Sequence, residues 1–176
     1  MSLVQWIVLL VALQRVAEVA YAERNTRILR RAGGIEIGAG HYPLFVLLHS
    51  TWLAALWFTV PADAPVAWSL LALFVILQAL RVWVIVSLGR FWTTRIITVP
   101  DAPLVRSGPY RWCRHPNYAI VAAEIALLPL AFGAWALALG FSVANALLLR
   151  HRIRAEDRAL AARRRAETTA WDRSHA

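Results

Sequence analysis

Between Gly108 and Tyr118 the chain reads GPYRWCRHPNY, a run that gathers cationic, aromatic and helix-starting residues. Pro116 suits the first position of a helix, because its missing N–H would have no intrahelical partner there. Arg114, His115 and the free N–H groups of that first turn then converge where loop meets helix, an arrangement suited to an anionic group. Tyr110, Trp112 and Tyr118 add aromatic faces that stack on a base or attract a cation. A nucleotide-like ligand with a carboxylate, a purine and a positive centre matches this mixture. Arginines and aromatics also mark membrane interfaces, so Arg111 and Arg114 read equally as topology anchors.

The elements that must hold these residues are apolar. The chain has 176 residues, of which 60% are hydrophobic, and apolar segments can be drawn at 2–22, 42–60, 66–89, 117–131 and 134–150. Several are long enough to cross a hydrocarbon core of about 30 Å. The expected fold is an all-α integral membrane protein of about five transmembrane helices in one domain. Residues 1–89 supply three helices, 90–160 a loop, a helical hairpin and a closing segment, and 161–176 a tail. The last two apolar segments are short, and Pro129 with Gly133 predicts a tight hairpin between them. Leu3–Leu13 has neither a basic leader nor a small-residue cleavage site and reads as a retained first helix. The Ala/Arg-rich stretch after about 155 predicts an amphipathic helix. No internal repeat is evident.

The formal net charge of +9 is carried by arginine, because the chain has no lysine. A basic balance of this kind can mark nucleic-acid binding, yet here the arginines fall where membrane topology places them. Arg24, Arg27, Arg30 and Arg31 follow the first apolar segment; Arg90, Arg95, Arg106, Arg111 and Arg114 follow the third; Arg150 to Arg173 close the chain. The turns PADAP and AFGAW carry none. The positive-inside bias puts the amino terminus outside and all three arginine-rich stretches in the cytosol, with no nucleic acid as partner. The loop from Arg90 to Pro116 alternates bulky apolar and polar side chains among four prolines, which predicts an ordered, ligand-binding loop. Cys113 stands alone, excluding an intramolecular disulfide and a multi-cysteine metal site.

Charges inside apolar helices face a partner or a polar cavity. Arg15 and Glu18 share a helix face and read as an ion pair. Gln78 lies one turn before Arg81, and Glu124 reads either as the wall of a polar pocket open to the cytosol or as a structural charge. His41 and His49 lack a third ligand at metal-binding spacing and read as interfacial or packed histidines.

Two motifs at their expected separation carry a family resemblance. LVRSGPYRWCRHPNY at 104–118, an apolar hairpin, and RIRAEDRAL at 152–160 resemble the isoprenylcysteine carboxyl methyltransferase family, membrane enzymes that use S-adenosyl-L-methionine. AERNTR at 22–27 and GAGHYPLFVLLH at 38–49 look like its small bacterial branch, members of which are linked to O-methylation of long-chain alkylpyrones and alkylresorcinols. The resemblance implies cofactor contacts at Arg95, Ala102, Pro103, Leu104, Val105, Tyr110, His115, Pro116 and Tyr118. It implies that Arg152 and Glu156 meet the acceptor as the catalytic pair. Asp157 departs from the family's second glutamate, Arg95 replaces a neutral residue of the eukaryotic enzymes, and the tail lacks the Phe-Gly-x-x-Tyr ending.

The implied function is S-adenosylmethionine-dependent methylation of an oxygen (carboxylate, enol or phenol) on a lipophilic acceptor, at the cytosolic face of a bacterial inner membrane. Membrane lipids are the further partners; oligomeric state is not set by the sequence. The rivals are a lipid-amine N-methyltransferase, which shares the donor, and a non-enzymatic scaffold whose arginines bind anionic lipid. Sterol reductases share a similar His-Pro-x-Tyr helix start, but have about twice as many spans.

Overall fold

The computed structural model describes residues 1–100, 102 and 104–174, with side chains as far as 161. The first helix, α1 (Leu3–Arg31), starts in a capping box. The Ser2 hydroxyl accepts from the Gln5 N–H at 3.3 Å, and the Gln5 side chain accepts from the Ser2 N–H at 3.0 Å. It runs past the apolar segment that ends near 22, because AERNTRILRR contains no helix breaker before Gly33 and Gly34. Gly34 donates to the Leu29 carbonyl at 2.8 Å. A Cβ there would lie 2.7 Å from that oxygen and 2.8 Å from the Ile97 side chain, so only glycine lets the chain turn this tightly.

Strand β1 (Ile35–Ile37) follows, then α2 (Tyr42–Thr59), which has Pro43 in its first turn. Helix α3 (Trp68–Leu88) leads to β2 (Ile96–Thr98), which pairs antiparallel with β1 in the register Ile35 to Thr98. The fold is mostly helical, in line with the all-α expectation, and this small two-stranded sheet is an addition to it. Its strands are three residues long and too short to show a period of two. Helix α4 (Pro116–Ala131) turns at Gly133, where φ is +69°, into α5 (Trp135–Ser174), giving the predicted hairpin. The expected separate amphipathic tail is a continuation of α5, since neither proline nor glycine follows Gly140.

Three helical stretches, Leu3–Arg31, Ala39–Thr59 and Trp68–Phe91, are long and apolar enough to cross a membrane; Pro116–Ala131 is a shorter apolar helix. This is an integral membrane protein. Helix α4 packs on α3 and α5, and α2 packs on α1 and α5. The interior is filled by Val4, Trp52, Leu56, Phe74, Ile125 and Leu128, among others. Large apolar side chains such as Leu10, Val16, Phe58 and Val86 face outward, as lipid-facing surfaces require.

The charges inside the helices meet in one network. Glu18 accepts from Arg15 at 2.8 Å and from Arg81 at 2.6 and 2.7 Å. Glu124 accepts from Arg15 at 3.0 Å, Arg81 at 3.3 Å and Gln78 at 2.8 Å. The expected Arg15–Glu18 pair is therefore half of a neutral quartet that fastens α1, α3 and α4 together. Glu124 is 2% exposed inside it, its oxygens covered by two guanidiniums and an amide, which favours the structural charge over the pocket wall. His49 packs with its Nδ1 2.8 Å from the Phe45 carbonyl, and His41 meets His151 edge to face at 5.3 Å.

Candidate active site

A cavity of about 700 Å3 opens where α3 ends, α4 begins and α5 passes the sheet. Pro116 occupies the first position of α4 as its sequence predicts, with His115 just before the helix. The Tyr118 and Ala119 N–H groups bond the His115 carbonyl at 3.1 and 3.4 Å. This turn stacks the His115 and Tyr118 rings 5.4 Å apart, and both line the cavity. From α5, Arg152 and Glu156 line it one turn apart.

Arg152 is buried, with 6% of its surface exposed. Its Nε donates to the Tyr118 hydroxyl at 2.9 Å and its Nη2 to the Thr94 carbonyl at 2.7 Å. Phe45 and Tyr118 flank the guanidinium, with ring centroids 5.1 and 5.8 Å away. The Tyr118 hydroxyl in turn donates to Glu156. Arg152 and Glu156, expected together at the acceptor, are thus joined through the Tyr118 phenol. The Nη1 of Arg152 has no protein partner among the described residues. His115 Nε2 lies 3.2 Å from Asp157, and His115 Nδ1 lies 3.9 Å from Glu156. Asp157, the departure in the closing motif, therefore reaches the histidine.

Leu104, Val105 and Tyr110 also line the cavity. Burial pushes the Tyr110 phenol above its ordinary pKa and keeps it neutral. Arg95 lines the cavity, but its guanidinium is held by Glu36 at 2.8 Å and lies 4.3 Å from the Tyr42 ring centroid. Glu36 also accepts from Arg30. Partial burial raises the Glu36 pKa, and the bonds from Arg95 and Arg30 outweigh it, holding the carboxyl below the usual range. Two expected contacts do not line the cavity. The Ala102 N–H folds back on the Val99 carbonyl at 3.4 Å, and Pro116 is buried in the helix start, where it acts through the backbone. Pro103 lies outside the described residues.

Several residues of the site carry no sequence signal. Thr94 meets Arg152 through its carbonyl alone, so its side chain does not predict that contact. Trp92 and Asn117 line the cavity, and Trp92 Nε1 and Asn117 Oδ1 are buried without hydrogen-bond partners among the described residues. Asn25 of α1 donates to the Gly89 and Trp92 carbonyls at 3.1 and 2.9 Å, fixing the loop where it leaves α3. An uncharged amide inside the arginine-rich end of α1 was the one visible clue to that clamp.

The family model described as Isoprenylcysteine carboxyl methyltransferase (ICMT) family matches residues 70–162, more than half of the chain and including both motifs. A Bacillus subtilis (strain 168) protein named Uncharacterized protein YpbQ is 40% identical over 160 residues, which cover 88% of this chain and 95% of that one. No solved structure matches the chain. The protein belongs to the isoprenylcysteine carboxyl methyltransferase family and is, at that level, a membrane methyltransferase.

Proposed function

We propose that this chain transfers a methyl group from S-adenosylmethionine to an oxygen of a lipophilic acceptor at the membrane–cytosol interface. The observation that carries this reading is the buried Arg152, locked by Tyr118 and Thr94 with Nη1 left without a protein partner, beside Glu156 in a cavity at the end of membrane helices. Methyltransferases of this family generally use S-adenosylmethionine, and the residues present fit it. The volume falls within the range of about 300–1,000 Å3 that holds small-molecule ligands. Arg106 suits the donor's carboxylate, and Tyr110, Tyr118 and Glu156 suit a sulfonium. The unmet Trp92 Nε1 and Asn117 Oδ1 are polar atoms whose burial calls for a partner.

When bound, the donor supplies an electrophilic methyl and a neutral thioether leaving group. The protein's share is alignment and charge. Arg152 holds the acceptor oxygen through Nη1, its rotamer fixed by the two bonds it makes to protein, so orientation is set before reaction. A carboxylate acceptor is already ionised and needs only this positioning. A phenol, with a pKa of about 10, must lose a proton; Glu156 receives it, and Arg152 stabilises the oxyanion. Five arginines and one carboxylate line the cavity, which favours an anionic oxygen over the ammonium of a lipid amine.

Purified protein in detergent should bind labelled S-adenosylmethionine, competed by S-adenosylhomocysteine and not by NADPH. His115→Ala should abolish that binding, while Arg152→Ala keeps it and loses methyl transfer to a lipid extract. Equal loss of binding in both variants overturns this division of labour. Failure of the native chain to bind the donor overturns the function.

A further inference from the structure

We propose that the segment from Arg111 to Arg114, on the rim of the cavity, is a docking surface for the phosphate headgroups of anionic phospholipids. The segment lies against a membrane helix. Gly108, at the start of its short 3-10 turn, has φ +56°, and a Cβ there would fall 2.1 Å from the Ser87 hydroxyl and 3.3 Å from Trp83 Nε1 of α3. The turn therefore presses directly on α3, and Trp112 comes to rest beside Trp83 with ring centroids 6.1 Å apart. Trp112 is 73% exposed and Trp83 is 44% exposed, so the pair forms an outward aromatic surface. Trp83 lies five residues before the end of α3 at Leu88, roughly 7–8 Å along the helix axis. Indole rings near the ends of membrane helices gather at the headgroup level of the bilayer.

The charge beside this pair has one sign. Arg111 and Arg114 are exposed, and neither meets a carboxylate among the described residues. The sequence has no acidic residue between Asp101 and Glu124. The Arg111 guanidinium lies 5.6 Å from the Trp112 ring centroid, so cation and interfacial anchor form one unit. A planar guanidinium pairs with phosphate through two parallel hydrogen bonds, and a bilayer surface supplies phosphates beside the indole. Both arginines also line the cavity, so a headgroup held there sits at its mouth. This inference does not depend on the methyl-transfer reading.

Cys113 is exposed within the segment and is the only cysteine of the chain, so a nitroxide there reports on the native sequence. The labelled chain would be placed in nanodiscs of phosphatidylcholine alone or mixed with phosphatidylglycerol. Collision with oxygen, which enters lipid, is compared with collision with a neutral water-soluble nickel chelate. The expected result is a shift from nickel toward oxygen accessibility when phosphatidylglycerol is present. The double variant Arg111→Gln/Arg114→Gln should lose that shift, while Arg154→Gln, which removes an exposed charge on α5, should keep it. Glycerol phosphate added to phosphatidylcholine discs should not reproduce it. Equal accessibility in both compositions, persistence of the shift in the double variant, or a full shift with glycerol phosphate would each overturn the proposal.

Discussion

Tyr118 joins the two halves of the site, since its hydroxyl accepts from Arg152 and donates to Glu156. Removing the hydroxyl alone leaves the ring stacked on His115 but unfastens the arginine on one side. Tyr118→Phe is therefore expected to lower kcat by about 100- to 1,000-fold, the range for losing one preorganised polar contact in a reacting site. Donor affinity should change little. A steady-state comparison with S-adenosylmethionine varied separates the two effects, and a loss confined to KM for the donor would contradict this role. His115, Tyr118, Arg152 and Glu156 stood out in the sequence because they belong to the two motifs that carry the family resemblance, and all four line the cavity. Their connection did not, because the phenol between Arg152 and Glu156 comes from a residue 34 positions upstream of the arginine. Thr94 was invisible for a different reason, since any residue there offers the same carbonyl.

Among the elements, α1, α3 and α4 are held to one another by four charges in apolar surroundings. Taking one carboxylate away leaves two guanidiniums buried with half their partners. Glu124→Leu should therefore destabilise the protein by about 3–5 kcal/mol, as broken buried pairs do. Thermal unfolding in detergent measures this, and a loss near that of an exposed residue would show that water reaches the quartet. Single charges in apolar segments were legible as a problem needing partners; which helices answered it depended on packing that no periodicity encodes. The β1–β2 pairing was hidden in the same way, joining strands about sixty residues apart. Glu36 in β1 ties that sheet to α1 through Arg30 and to the loop through Arg95. Because its folded pKa lies below the unfolded value, the unfolded chain binds the proton more readily. The stabilisation it gives is present above the unfolded pKa and is lost as pH falls through the folded one. Glu36→Gln should thus flatten the acid limb of stability, on the acid side of the ordinary glutamate pKa. An unchanged acid limb would mean that Glu36 is not one of the groups producing it.

At the scale of the molecule, the end of α1, the sheet, the loop before α4 and the middle of α5 all meet around the cavity, so the arginine-rich stretches are gathered at one end. The turn PADAP lies at the other end of α2 and α3. Arginine asymmetry of this kind orients membrane proteins with the basic side in the cytosol. A water-soluble methyl donor made in the cytosol can reach the cavity only if that end faces it, which makes orientation part of function. With Cys113 replaced by serine, single cysteines placed by Arg31→Cys and Asp63→Cys would sample the two ends, both positions being exposed. A membrane-impermeant maleimide should label the Asp63→Cys chain in intact spheroplasts and the Arg31→Cys chain only in inside-out vesicles. The reverse pattern would turn the cavity away from its donor, and the proposed reaction would fail with it.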